Sequence, residues 1–199
     1  QDYFFRIEKL SAASQTYFNV IRSYSVNDFD NIQNMLTKKK NLSEIDSLFL
    51  EKIDSIKGVV MAIEKNGKQV NSLPRQIIHS DLHPHNILVN GDEVAAIVDF
   101  DGVRVSQQAR DVAFAIYRFG RQFFVQNQNL DKADAVRIRD CFVEAYENIK
   151  VLSAEEKKLM PSLIKDEFLR KLLFVLKGVY LNNNNISNNI NERISLYYI

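Results

Sequence analysis

Between Ile77 and Gly102 the chain reads IIHSDLHPHNILVNGDEVAAIVDFDG, and most of its candidate chemistry is there. His79, Asp81, His83, His85 and Asn86 crowd into one polar loop, and Asp99 and Asp101 follow after an apolar stretch. Carboxylate and amide oxygens are hard donors, the type that binds a divalent cation such as magnesium. The His83-Pro84-His85 spacing with carboxylates nearby also admits a zinc site.

Such residues act together only if the fold gathers them, and the flanking sequence supplies the means. Gln76 to Ile78 reads as a short strand leading into the polar loop. Ile87 to Val89 and Val94 to Val98 read as two strands joined at Asn90-Gly91, a dipeptide that favours hairpin turns. Folding back there brings Asn86 near Asp99. Asp81, Asn86, Asp99 and Asp101 then surround one small volume.

The pattern His-x-Asp-Leu-His-Pro-x-Asn followed by Asp-Phe-Asp resembles the catalytic loop and metal-binding turn of kinase-fold phosphotransferases. Within them it is most similar to the aminoglycoside phosphotransferase and choline kinase-like group of small-molecule kinases. Protein kinases usually carry Arg at the second loop position and the small-molecule group Gly; Ser80 departs from both. The resemblance covers roughly Leu73 to Phe124. Only eleven residues separate Asp99 from Asp111. That is too short for the activation segment with which protein kinases dock a peptide, and it favours a small acceptor.

The resemblance implies roles. Asp81 matches the catalytic base or orienter of an attacking hydroxyl, and Asn86 and Asp99 match magnesium ligands. Asp101 is either a further ligand through water or a turn residue. His79 matches a residue that bonds the backbone near the Asp-Phe turn. The Pro84 and Asn86 around His85 fit this loop better than they fit zinc. Asp111 lies in the first turn of a helix read over Arg110 to Phe124, where the helix dipole favours a carboxylate. Arg110-Asp111-Val112-Ala113 also matches a family stretch whose Asp supports the catalytic region. ATP or GTP would be the phosphoryl donor, magnesium the cofactor, and a small-molecule hydroxyl compound the acceptor: an aminoglycoside, an amino sugar, choline or homoserine.

The rest of the chain sets limits. Its 199 residues are 46% hydrophobic and 26% charged, the make-up of a globular protein. A net charge of +1 gives no electrostatic case for nucleic acid. No apolar run approaches the roughly 18 residues that span a bilayer. The one cysteine, Cys141, excludes an internal disulfide and fits a cytoplasmic setting; within its helix it reads as a small core or boundary residue. The six glycines stand alone, so no glycine-rich phosphate loop is present.

Helical spacing recurs over 1–25, over Ser43 to Lys65 with a Ser43-x-x-Asp46 cap, and over 131–149 with Ala135, Ile138, Phe142, Ala145 and Tyr146 inward. Ser25 to Asn31 and Val103 to Gln108 read as connections, and 71–74 as loop. In the helix over Arg110 to Phe124, Val112, Ala115, Ile116, Phe119 and Phe123 line one face. Ser153-x-x-Glu156 opens a late helix that Pro161 breaks or restarts, before an apolar helix over Leu163 to Leu181. The Lys38-Lys39-Lys40 run reads as a solvated helix end or as a contact for an anionic substrate. An Asn-rich stretch over 182–191 reads as a polar loop.

The expected fold class is therefore α+β and predominantly α-helical, the C-terminal lobe of a protein kinase-like fold. Its parts are a helical segment (1–72), a catalytic hairpin (73–102) and a helical bundle (103–199). Nothing before Ile77 resembles a nucleotide-binding N-terminal lobe, and the chain starts with Gln, so a truncated or processed piece is expected, inactive without its partner lobe. The rival reading is a non-catalytic kinase-fold binding or regulatory domain.

Overall fold

The computed structural model describes residues 24–127 and 131–180. The helix expected over 1–25, apart from its last two residues, and the Asn-rich stretch lie outside the described residues. In chain order the elements are α1 (Val26–Leu36), α2 (Glu44–Lys65), α3 (Gly67–Asn71), β1 (Arg75–Ile78), β2 (Ile87–Asn90), β3 (Glu93–Ile97), β4 (Arg104–Gln107), α4 (Gln108–Gln126), α5 (Lys132–Glu147) and α6 (Ala154–Tyr180). The protein is thus mostly helical with two small antiparallel sheets, β1 with β4 and β2 with β3. No described helix is long and apolar enough to cross a membrane. The described residues divide into two compact units interleaved along the chain: Lys68–Ile164, and 24–67 with 165–180.

The unit Lys68–Ile164 holds the motif. Val70, Leu73, Ala109, Val112, Ala113, Ile116, Leu152, Leu159, Met160 and Leu163 form its core. The expected loop at 71–74 is preceded by the short helix α3, and the expected connection over 103–108 contains β4. Among the described residues strand β4 pairs with β1, Ile78 opposite Arg104 and Arg75 opposite Gln107, some thirty residues earlier. Its hydrogen bonds are non-local, so no local pattern announces it.

On the expected inward face of α4, Val112, Ala115 and Ile116 are buried and Phe119 is half-buried, but Phe123 is exposed, while Phe114 and Gly120 are buried in addition. In α5, Ile138, Phe142 and Tyr146 are half-buried, but Ala135, Ala145 and Cys141 face solvent. Phe142 meets Phe119 of α4 with ring centroids 5.4 Å apart. Pro161 does not break α6, which is one helix from Ala154 to Tyr180 opened by the Ser153–Glu156 capping box.

The other unit packs α1 and α2 with the later part of α6. Phe29, Ile32, Leu36, Phe49, Ile53, Ile56 and Val60 are buried with Leu169, Leu172, Leu173 and Leu176. The expected connection over 25–31 is instead the start of α1. The Ser25 N–H donates to Asp28 Oδ2 at 2.8 Å, and Phe29, Ile32 and Leu36 repeat at helical spacing beneath an exposed polar surface.

Helix α2 is capped as expected. Asp46 N–H donates to Ser43 Oγ at 3.2 Å, and Ser43 N–H returns to Asp46 Oδ2 at 2.8 Å. Asp46 is itself buried, and it also accepts from Lys39 Nζ and Tyr180 OH, each at 2.5 Å. The middle lysine of the Lys38-Lys39-Lys40 run is thereby a partner for a buried carboxylate.

Burial pushes the Asp46 carboxyl up, but the bonds from Lys39, Tyr180 and Ser43 outweigh it and bring it down to about 2, against an ordinary 3.8. A depressed carboxyl stabilises the fold above its ordinary value, and that contribution fades as pH falls toward the lowered one. Asp46→Asn is therefore expected to be less stable than the parent at pH 6. The gap should narrow by about 1 kcal/mol at pH 3. Urea unfolding of both proteins at the two pH values checks this, and a gap that does not change with pH would refute it.

Candidate active site

The polar loop leaves β1 at Ile78 and is held first by its backbone. Asp111, in the first turn of α4, accepts from the N–H of His79 at 2.9 Å and of Ser80 at 2.7 Å. Burial pushes its carboxyl above the ordinary value; these two donors and the charges of His79 and Arg104 oppose that shift without cancelling it. The support reading of Asp111 has this geometry behind it, with the helix-dipole position as well.

His79 faces the turn after β3. Its Nε2 lies 3.1 Å from Val98 O. A carbonyl can only accept, so Nε2 carries the proton. The ring also lies against Phe100, centroids 4.9 Å apart. Ser80 has φ 66, in the left-handed region, and its buried Oγ has no partner. Gly102 explains part of the crowding: a Cβ there would lie 3.2 Å from His79 O and 3.3 Å from Ser80 Oγ.

The hairpin does bring Asn86 toward Asp99. Ile87 pairs with Ile97, and Val98 N–H donates to Asn86 O at 3.0 Å. The turn is one residue later than expected, with Asn90 opposite Glu93 and Gly91 at φ 61. Asn86 ends a 3₁₀ turn, Pro84–Asn86, and is buried. Its Nδ2 donates to Asp81 O at 3.0 Å, which leaves Oδ1 as an acceptor.

Asp81 has Oδ1 buried without a partner, and Oδ2 lies 3.5 Å from His83 Nε2. Asp99 has φ 65 and ψ 64 and precedes a 3₁₀ turn, Phe100–Gly102, that its side chain does not cap. Its carboxylate is exposed and uncommitted to that turn. Asp101 is exposed within the turn.

By donor type these carboxylate and amide oxygens suit a hard cation, but among the described residues Asp81, Asp99 and Asp101 do not converge as the expected three-carboxylate cluster. A zinc arrangement does not emerge. His83 Nδ1 accepts from His85 N–H at 3.2 Å, and among the described residues no group of three or more His, Cys, Asp or Glu side chains converges as a metal site.

Residues 34–147, more than half of the chain and all of the loop and hairpin, match the phosphotransferase enzyme family. The chain belongs to that family. Among curated relatives, the homoserine kinase of Methylocella silvestris is 35% identical over 102 residues, 49% of this chain and 28% of that protein. The homoserine kinase of Methylobacillus flagellatus is 34% identical over 109 residues, 54% of this chain and 32% of that one. The chain spans about three tenths of the length of these relatives. Among solved structures, an ethanolamine kinase of Plasmodium vivax is 18% identical with a TM-score of 0.44, covering 90% of this chain and 50% of that one.

Family membership accounts for the loop but not for everything in it. From its spacing alone His83 reads as a metal ligand, whereas it faces Asp81. Gly102 carries one local signal for its tight position, its place directly after Asp-Phe-Asp. The Gly that family members usually carry at the position of Ser80 is what a left-handed backbone prefers.

Two substitutions test this scaffold. Ser80→Gly removes a strained side chain with an unpartnered hydroxyl and should raise stability by about 1 kcal/mol. Asp111→Ala leaves two backbone N–H groups without their acceptor and should lower it by about 2–3 kcal/mol. Denaturant midpoints of the two variants decide both, and a Ser80→Gly protein weaker than the parent would contradict the strain assignment.

Proposed function

We propose that this chain is the catalytic C-terminal lobe of a small-molecule kinase that uses magnesium and ATP or GTP to phosphorylate a hydroxyl group. One observation carries the reading: Asp81, Asn86 and the turn bearing Asp99 belong to a single run of hydrogen bonds, within the residues matched to the phosphotransferase family.

In this reading Asn86 Oδ1 and the Asp99 carboxylate hold magnesium, with Asp101 as a further ligand through water. The bound ion supplies charge neutralisation at the phosphates. A neutral amide ligand beside a polyphosphate adds no further negative charge. Asp81 orients the acceptor hydroxyl and takes its proton, a role worth on the order of 10²–10⁴ in rate. His79 holds the turn that carries Asp99, and Asp111 holds the loop that carries Asp81.

The nucleotide-binding lobe would be a separate part of the protein, and this lobe alone would not turn over. The hairpin is consistent with that. Leu88, Val89, Val94 and Ile97 are all exposed large apolar side chains, a surface that a covering lobe would bury. Among acceptors, homoserine comes first because the Methylocella silvestris and Methylobacillus flagellatus relatives are homoserine kinases. Choline, amino sugars and aminoglycosides follow.

The test is acceptor-dependent nucleotide turnover by the full-length protein with magnesium, ATP against GTP, across those acceptors. Turnover is expected with at least one acceptor, and Asp81→Ala and Asp99→Ala should each lose at least about a hundredfold in kcat. Near-normal turnover in Asp99→Ala would defeat the assignment.

A further inference from the structure

His83 makes two contacts that the proposed chemistry leaves unexplained. It stands just before the 3₁₀ turn Pro84–Asn86, with an extended backbone at φ −143 and ψ 168. Pro84 has no N–H, so the first donor of that turn belongs to His85, and His83 Nδ1 accepts it at 3.2 Å. A ring nitrogen that accepts a hydrogen bond carries no proton. The single proton of a neutral imidazole then sits on Nε2. That nitrogen lies 3.5 Å from Asp81 Oδ2, and the His83 side chain is only 13% exposed. The His83 carbonyl also accepts the Asn86 N–H at 2.9 Å.

Asp81 needs such a restraint. Its backbone is fixed by Asn86, but its carboxylate turns about two bonds, and Oδ1 has no partner. A contact of 3.5 Å is slightly longer than a formed hydrogen bond, as those between catalytic groups often are before substrate binds. We propose that His83 is a positioning residue for Asp81: the turn fixes its tautomer through Nδ1, and its Nε2–H aims the carboxylate at the acceptor hydroxyl. The inference rests on the reading of Asp81 given above.

Two substitutions separate the ring nitrogens. In His83→Gln the side-chain amide nitrogen falls about where Nε2 was, which keeps the contact to Asp81 and loses the cap. In His83→Asn the amide oxygen falls about where Nδ1 was, which keeps the cap and loses Asp81. In the full-length enzyme His83→Asn should lower kcat roughly ten- to hundredfold with KM values nearly unchanged, while His83→Gln stays within about threefold of the parent. A fully active His83→Asn, or an equal loss in both variants, would overturn the proposal.

A second measurement needs no turnover. Nitrogen-15 correlation spectra of this chain without nucleotide should show His83 protonated at Nε2 and bare at Nδ1, and Asp81→Asn should shift the Nε2 resonance. An Nδ1-protonated ring, or an Nε2 signal indifferent to Asp81→Asn, would also overturn it. If the full-length protein turns over no acceptor, the kinase reading fails by itself and the spectra still decide the His83–Asp81 contact.

Discussion

The loop that carries the candidate site residues is anchored by one carboxylate outside it. Asp111 accepts from two successive backbone N–H groups, those of His79 and Ser80. The relative aim of those two N–H groups is set at His79, the residue between them, while the left-handed φ of Ser80 lies beyond both bonds and turns the chain toward Asp81. The two bonds hold the backbone immediately before this unfavourable turn. Asp111 in turn is set by the start of α4, which follows directly on β4, and β4 is set by its pairing with β1. Two strands of four residues and one helix start therefore determine where Asp81 stands.

A second left-handed residue, Asp99, lies at the far end of the same network. Ser80 directly precedes the candidate residue Asp81 and Asp99 is itself a candidate residue, and both positions are held by partners from outside their own segment. Ser80 is held by Asp111, and the turn at Asp99 by the bond from His79 to Val98 O and by ring packing on Phe100. A local conformation that costs of order 1 kcal/mol or more persists only where surrounding structure over-determines it. The close approach of Gly102 to His79 O and Ser80 Oγ shows how little room is left.

What could be read from the sequence was what local chemistry encodes. The hairpin, the caps at Ser43 and Ser153, and the approach of Asn86 to Asp99 follow from turn residues, capping boxes and strand lengths. Strand β4 was not legible, because its partner is thirty residues away and its own residues, Arg104 to Gln107, carry no alternating pattern. The first half of helix α1 is not legible because Asn27, Asp28, Asp30 and Asn31 outnumber the apolar residues that anchor it, and only the 3- and 4-residue spacing of Phe29, Ile32 and Leu36 shows the buried side. The exposure of Ala135, Ala145 and Phe123 has another cause. A face chosen by periodicity alone rotates easily by one position when several candidate stripes coexist. In the site the residue types were legible, but who touches whom was not: the His83–Asp81 contact depends on a histidine tautomer set by a backbone N–H two residues away.

Asn86 shows why these groups work as one unit rather than as separate parts. Its backbone carbonyl accepts from Val98, its backbone N–H donates to the His83 carbonyl, and its side-chain N–H donates to the Asp81 carbonyl. Its acceptor oxygen Oδ1 remains uncommitted, and it is the atom type that a hard cation would take. Replacing the amide by a carboxylate would remove the donor to Asp81 and add a negative charge beside the Asp81 and Asp99 carboxylates. Replacing it by a shorter or apolar side chain would release both the loop and the ligand position. An asparagine meets all of these demands because a single planar group presents a donor on one side and an acceptor on the other. Covalent geometry within Asn86 fixes the separation of its own Nδ2 and Oδ1, so the loop backbone at Asp81 and the free amide oxygen are tied to one planar group.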